Sequence, residues 1–310
     1  MSLKSLIEDK NLRIVEVPDK FISQLEKLEQ GTYNSVIELL NRLEVNGGLF
    51  VPSAKNLRIA SEISTLLRGV MLTPEYSSTL VEFAKEFDLQ GLANNAYFIE
   101  AFTDFAITDF TQEIIKLSKR NAVNLMLNGV DSEFVKPLSN AIEQAVINNS
   151  GYQETLKSIQ RVILGNPEIE SSYLRYAKTW AHESFAVGDA AYTSAIGDEL
   201  GIEWYWYSGH RIDTTRLFCL ERNGKYYHKK EFELWGAGTH TPGFKTPSGG
   251  TWQGRRGGTN SKTIFSYRGG WNCGHSYMPT SFSVVPKKDL QRAVKLGYYK
   301  PTTNIELSKL

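Results

Sequence analysis

The residues best suited to chemistry cluster toward the end of the chain. Cys273 and His275 form a Cys-x-His pair, and Cys219 lies upstream of them. His210, His228, His240 and Asp213 occupy the same stretch as further donors. Thiolate with imidazole is a soft donor set that suits zinc. In a small module dominated by loops, a structural metal would supply folding free energy that a thin core lacks. Free cysteine is also among the most buried residue types, so the same residues can be packed thiols beside a hydrogen-bonded histidine. The wide gap between Cys219 and Cys273 matches no compact zinc signature. Three readings therefore stand at this stage: a structural Zn2+ site at Cys219, Cys273 and His275, a packed polar core without metal, and a reactive centre.

Two further groups lie nearby. Asp213 and Arg216 in HRIDTTR can pair and lock a turn through the planar guanidinium, or form a surface ion pair of little worth. Arg255, Arg256, Lys262 and Arg268 sit in or beside a glycine-rich loop, with Trp252 and Trp271 close in sequence. Such a loop can grip a nucleic-acid backbone, dock on an acidic protein surface through its tryptophan and arginine anchors, or remain solvated. Catalysis has little support. The chain has no phosphate-binding P-loop, no HExxH and no G-x-S-x-G elbow. His182-Glu183 has no second histidine four residues from the first, and no set of nucleophile, base and orienting group can be read. The expectation is a protein that is not an enzyme, with a nuclease or cysteine hydrolase as the remaining enzymatic alternative.

The elements that must position these residues fall into two kinds. Up to about residue 195 the pattern is helix after helix. Leu25, Leu28, Val36, Ile37, Leu40 and Leu43 recur at helical spacing over 20–44, and Asn46-Gly47-Gly48 ends the run. Ile59, Ile63, Leu66 and Val70 form the stripe of the next helix. Thr73-Pro74-Glu75 is a restart signal, with a capping hydroxyl and a proline that loses no hydrogen bond. Residues 76–88 then run helically, 92–118 read as one long aromatic helix, 131–151 as a helix starting at Asp131 with Pro137 either in its first turns or splitting it, and 153–164 as an amphipathic helix broken by Gly165-Asn166-Pro167. The last long helix lies within 169–197. From Gly201 the character changes. EWYWYSGH reads as a strand, and FCLERNGKYYHKKEF as strand, Asn223-Gly224 turn, strand, which places Cys219 at a strand end. Residues 236–262 read as a long loop. The fold class is α+β: an extended, mainly helical N-terminal region followed by a small strand- and loop-rich C-terminal module. The expected divisions are a variable helical region over 1–150, long helices over 151–200, the Cys/His module over 201–286, and a short helix and tail over 287–310.

Composition bounds the rest. The chain has 310 residues, 41% of them hydrophobic and 22% charged, which is enough to bury a substantial core. Its 35 basic and 34 acidic residues nearly cancel, which argues against broad coating of DNA while allowing local patches. Two cysteines make no disulfide framework and suit a reducing compartment or a metal site. No segment has the apolar length of a membrane span, and the N-terminus does not read as a signal peptide. Folding in cytoplasm is the expectation.

Several short elements in order resemble the phage head morphogenesis family, the minor head proteins similar to that of phage Mu. Tyr176-Ala177-Lys178-Thr179 takes the place of an Ala-Arg-Thr-Glu-like stretch, with lysine where arginine is usual. GIEWYWYSG supplies the strand, with Trp204 and Trp206 as candidates for its tryptophan. Asp213, Thr215, Arg216 and Cys219 match the Asp-x-x-Thr-Arg-x-x-Cys element with one residue fewer between Asp and Thr. Gly224, Lys225 and Tyr227 match the hairpin. Gly269-Gly270-Trp271-Asn272-Cys273-Gly274-His275, followed by Pro279, matches the closing motif, with Gly274 where arginine is usual. The resemblance covers about residues 150–286. It implies a low-copy minor capsid protein of a tailed-phage head, acting near the portal or carried inside the head. Its implied partners are portal or major capsid protein, with packaged DNA as an alternative partner for a packaging or ejection protein. Its implied location is the virion head, reached from the host cytoplasm. Asp213, Arg216, Cys219, Cys273 and His275 carry over as a structural core, with zinc as the implied ion.

Overall fold

The computed structural model describes residues 2–70, 73–166, 168 and 170–310. Helices α1 (Leu3–Leu40), α2 (Ala54–Val70), α3 (Pro74–Ala101), α4 (Asp109–Asn124), α5 (Lys136–Ile147), α6 (Tyr152–Leu164) and α7 (Ser172–Glu199) precede the main sheet. Between α1 and α2 lies a minimal hairpin, β1 (Val45–Asn46) and β2 (Leu49–Phe50). Then come β3 (Trp204–Gly209), α8 (Leu217–Arg222), β4 (Lys225–His228), α9 (Lys229–Gly236), α10 (Ile264–Tyr267), β5 (His275–Thr280), α11 (Lys287–Lys295) and α12 (Asn304–Ser308). The chain is α+β, with long helices first and a small sheet module after them. Among the described residues, no helix is long and apolar enough to cross a membrane.

Two compact units divide the chain, and neither is a continuous stretch. One comprises residues 17–85 and 120–181, and its regular elements among the described residues are helices and the hairpin. Its core is built from stripes at helical spacing: Phe21 and Leu25 on α1, Ile59, Ile63 and Leu67 on α2, and Leu138 and Ile142 on α5. Phe21 stacks on Phe83 at 4.4 Å. Buried Asn56 satisfies three backbone groups at the end of the hairpin, bonding Glu44 N, Glu44 O and Val51 O.

The restart at Thr73-Pro74 is present, with Tyr76 N donating to Thr73 Oγ1 at 3.2 Å. Several helix boundaries differ from the sequence reading, the first being α1, which begins at Leu3 rather than near residue 20. The aromatic helix expected over 92–118 breaks after Ala101, and α4 begins at Asp109. Thr108 and Thr111 cap that start reciprocally, each backbone N–H donating to the other's hydroxyl. No helix starts at Asp131. The chain stays helical from Asp109 to Ile147, through π-helical turns at Leu125–Gly129 and Asp131–Val135. The wide turns leave carbonyls for tyrosines: Tyr176 donates to Leu125 O and Tyr76 to Met126 O, both at 3.2 Å. Gly129 permits this, because a Cβ there would sit 1.4 Å from the Tyr176 hydroxyl. Pro167 of the expected break, and Ile169 at the expected start of the last helix, lie outside the described residues.

The other unit comprises residues 1–16, 86–119 and 182–310. Its sheet is antiparallel in the order β4-β3-β5, so β3 is central. Tyr205 and Tyr207 point from β3 into an aromatic core with Phe218, Tyr227, Phe232, Trp235 and Tyr277. Trp206 alternates with them and packs beside Met278 and Tyr97 with Ile7. A buried polar network joins helix to sheet within this unit. Lys10 Nζ meets Asp189 Oδ2 at 2.9 Å with both side chains at 0% exposure. Asp189 Oδ1 accepts from Gln90 and Asn94, each at 2.9 Å. Asn11 bridges Ser208 on β3 and Ser276 on β5.

Candidate metal centre

Three separate segments deliver the cluster. Cys219 sits on α8, a short helix rather than the strand end expected from sequence. The residues LFCLER lack the alternation of a strand, and backbone bonds from Cys219 and Leu220 to Arg216 O close helical turns instead. Cys273 lies just before β5, and His275 opens that strand opposite Gly209. All three side chains are buried, and their donor atoms lie within 4.8 Å of one another. The sulfurs are 3.7 Å apart as free thiols, and Cys273 Sγ is 4.0 Å from His275 Nδ1. A tetrahedral zinc with Zn–S bonds of about 2.3 Å separates two sulfurs by about 3.8 Å and a sulfur from an imidazole nitrogen by about 3.6 Å. The sulfur pair therefore matches such an ion, and the Cys273–His275 separation would close by about 0.4 Å to do so. Buried His275 Nε2 has no hydrogen-bond partner among the described residues, and an ion held at Nδ1 would leave it unpaired.

The two thiols are electrically unequal. The hydrogen bond with Cys219 holds Cys273 well below the usual thiol range; His275 and the Arg268 charge add to this, against the effect of burial. Cys219 is pushed up, first by that same hydrogen bond with Cys273 and then by burial. Of the two, Cys273 is therefore the more readily deprotonated.

The closing loop 269–273 is fixed from several sides. Arg216 Nη2 donates to Trp271 O at 2.6 Å, Trp252 Nε1 to Gly269 O at 2.9 Å, and Asn272 N to the buried Glu183 at 2.5 Å. A Cβ on Gly269 would come within 2.4 Å of Cys219 Sγ, so only glycine lets this loop lie on the sulfur pair.

Of the other expected donors, none joins the cluster among the described residues. His210, His240 and Asp213 are exposed. His228 is buried but caps α9, accepting from Lys230 N. The expected Asp213–Arg216 lock does not form. Its turn is held by Thr215, through bonds between Thr215 and Ile212, while Arg216 reaches across to Trp271. The arginines of the glycine-rich loop face inward rather than forming an open basic face. Arg255 donates to the carbonyls of Gly250, Gly236 and Thr259. Arg256 pairs with Glu183 at 2.9 Å and lies over the rings of Tyr267 and Trp271. Arg268 is fully buried. Trp252 stacks on Phe218 at 4.3 Å inside the core.

Sequence reasoning missed Glu183, Tyr207 and Arg222. Glu183 sits 89 positions from the backbone it holds, beyond any local pattern. Tyr207 shares a β3 face with Tyr205, and alternation was the available signal. Arg222 is fully buried, with its guanidinium 4.0–4.4 Å from the ring centres of Phe218, Trp235 and Phe244. In comparisons with known proteins, no family model matches the chain, and neither a curated protein nor a solved structure matches it.

Proposed function

We propose that this chain is a structural or assembly component of a tailed-phage head, a minor capsid protein acting near the portal or inside the head, and not an enzyme. The observation that supports this reading is the convergence of the resembling elements. Arg216, Cys219, Trp271, Cys273 and His275 come from separate short motifs, yet they meet around one buried cluster. In this reading the cluster is the lock of the C-terminal module, and a divalent metal held by Cys219, Cys273 and His275 would tie α8, the closing loop and β5 together. The partner surface belongs to portal or major capsid protein. A packaging or ejection role on DNA has less support, because Arg255, Arg256 and Arg268 are engaged inside the module.

Mass spectrometry of purified phage particles and of immature heads tests the proposal. It predicts the chain in at least one of them at low copy number relative to the major capsid protein. Reproducible absence from both overturns it.

A further inference from the structure

A closed structural zinc site takes four ligands, and the cluster supplies three. Tyr207 is the next polar group at the sulfur pair. Its hydroxyl lies 3.2 Å from Cys219 Sγ and 4.0 Å from Cys273 Sγ. A tetrahedral zinc with one sulfur and one oxygen ligand places those atoms about 3.5 Å apart, between the two observed distances. The sheet fixes this placement. Tyr207 pairs with Tyr277, and Gly209 with His275, so Tyr207 and His275 lie two register positions apart on neighbouring strands. Their rings stack at 5.3 Å with 17° between planes. Tyr207 has no exposed surface.

A second observation is independent of those distances. Arg268 is at 0% exposure, and among the described residues none of its three guanidinium nitrogens has a hydrogen-bond partner. A buried, unpaired cation is costly. The neighbouring cation Lys10 already has Asp189, whereas Arg268 acts electrostatically on Cys273. A divalent metal with two thiolates and a neutral imidazole carries no net charge. With a phenolate as fourth ligand the centre carries one negative charge, the counterpart that Arg268 otherwise lacks.

We propose that Tyr207 is the fourth ligand of a divalent-metal centre with Cys219, Cys273 and His275, bound through its phenolate oxygen and balanced by Arg268. The proposal rests on the reading of the other three residues as metal ligands. The protons still carried by Cys219, Cys273 and Tyr207 pass to solvent on binding, and no electron is transferred.

The test is a titration of the full, metal-stripped chain with Zn2+ at neutral pH, following the near-ultraviolet tyrosinate band alongside metal stoichiometry. The expected result is one bound zinc and a tyrosinate signal that saturates at one equivalent. Tyr207→Phe should still bind one zinc, at least about tenfold more weakly, since even outer-shell changes cost that much, and should give no tyrosinate signal. Arg268→Met should weaken zinc binding while keeping the signal. One zinc bound by the unaltered chain without tyrosinate overturns the assignment of Tyr207 and leaves the three-residue metal centre standing. No zinc bound at all overturns both. Both results come from the unaltered chain, so they hold even if Tyr207→Phe fails to fold. Unchanged affinity in Arg268→Met overturns the counter-charge.

Discussion

The Lys10–Asp189 pair permits a prediction with a definite order. At 2.9 Å the Coulomb attraction is about 6 kcal/mol at an effective dielectric constant near 20. Desolvation costs several kcal/mol for each ion, so the intact pair is close to break-even. Removing one partner is not. Lys10→Met leaves a buried carboxylate, but Gln90 and Asn94 still donate to it, so the loss should lie near the low end of the range for broken buried pairs, about 3 kcal/mol. Asp189→Leu leaves an ammonium whose other contact is Met278 Sδ. It also strands the two amide donors, so the loss should reach about 5 kcal/mol or more. The double variant removes both charges and strands only the amides. Its loss should fall at least about 3 kcal/mol short of the sum of the single losses. Urea denaturation followed by tryptophan fluorescence measures this, because every tryptophan except Trp180 lies in the unit that holds the pair. Additive single losses, or a loss for Asp189→Leu no larger than for Lys10→Met, would refute the account of the network.

Two further expectations follow from single side chains. Burial pushes Glu29 up to about 7 from an ordinary 4.5, against the bond from Ser171. A raised folded-state value means that the proton is held more tightly in the folded chain. Its stabilising contribution is therefore complete below about pH 4.5 and lost as pH rises through 7. Thermal melts at pH 5 and pH 8 should differ less in Glu29→Gln than in the unaltered chain; an equal difference in both counts against the assignment. Arg222→Ala should cost about 3–5 kcal/mol, since it empties an aromatic sandwich and removes the side-chain donors to Thr246 O and Thr246 Oγ1. Arg222→Met should recover a sizeable part by refilling the space, and a loss equal to that of alanine would place the energy in the hydrogen bonds alone.

The legible parts of the fold were those set by local pattern. The stripe at Ile59 and Ile63, the Thr73-Pro74 start and the strand WYWY each follow from spacing or capping within one turn or one pleat. The π-helical turns did not, because what compensates them is a pair of tyrosine hydroxyls supplied by other helices. Cys219 was misplaced for a related reason. Asn223-Gly224 suggested a two-residue hairpin, but the residues before it close helical turns onto Arg216 O and enter the core edge-on through Phe218. At the site, composition pointed to Cys219, Cys273 and His275, while the role of the arginines was not readable. A basic residue in a glycine-rich loop looks solvent-facing in sequence. Only the folded loop shows that the free carbonyls of Gly236, Gly250 and Thr259 are what Arg255 satisfies.

The network around Lys10 also constrains the order of events during synthesis. Lys10 contacts Met278 across 268 positions of sequence, and Asn11 bonds Ser276 across 265. A ribosome extends the chain from its N-terminus, so the first helix emerges long before the strand it must meet. Until β5 is made, Lys10 has no sulfur beside it and Asn11 no serine hydroxyls, and the apolar face of Ile7 awaits Met278. Closure of this unit is therefore a late step with a large loop-closure cost. During that interval the apolar face of the early helix lies open to capture by a chaperone or by a second nascent copy.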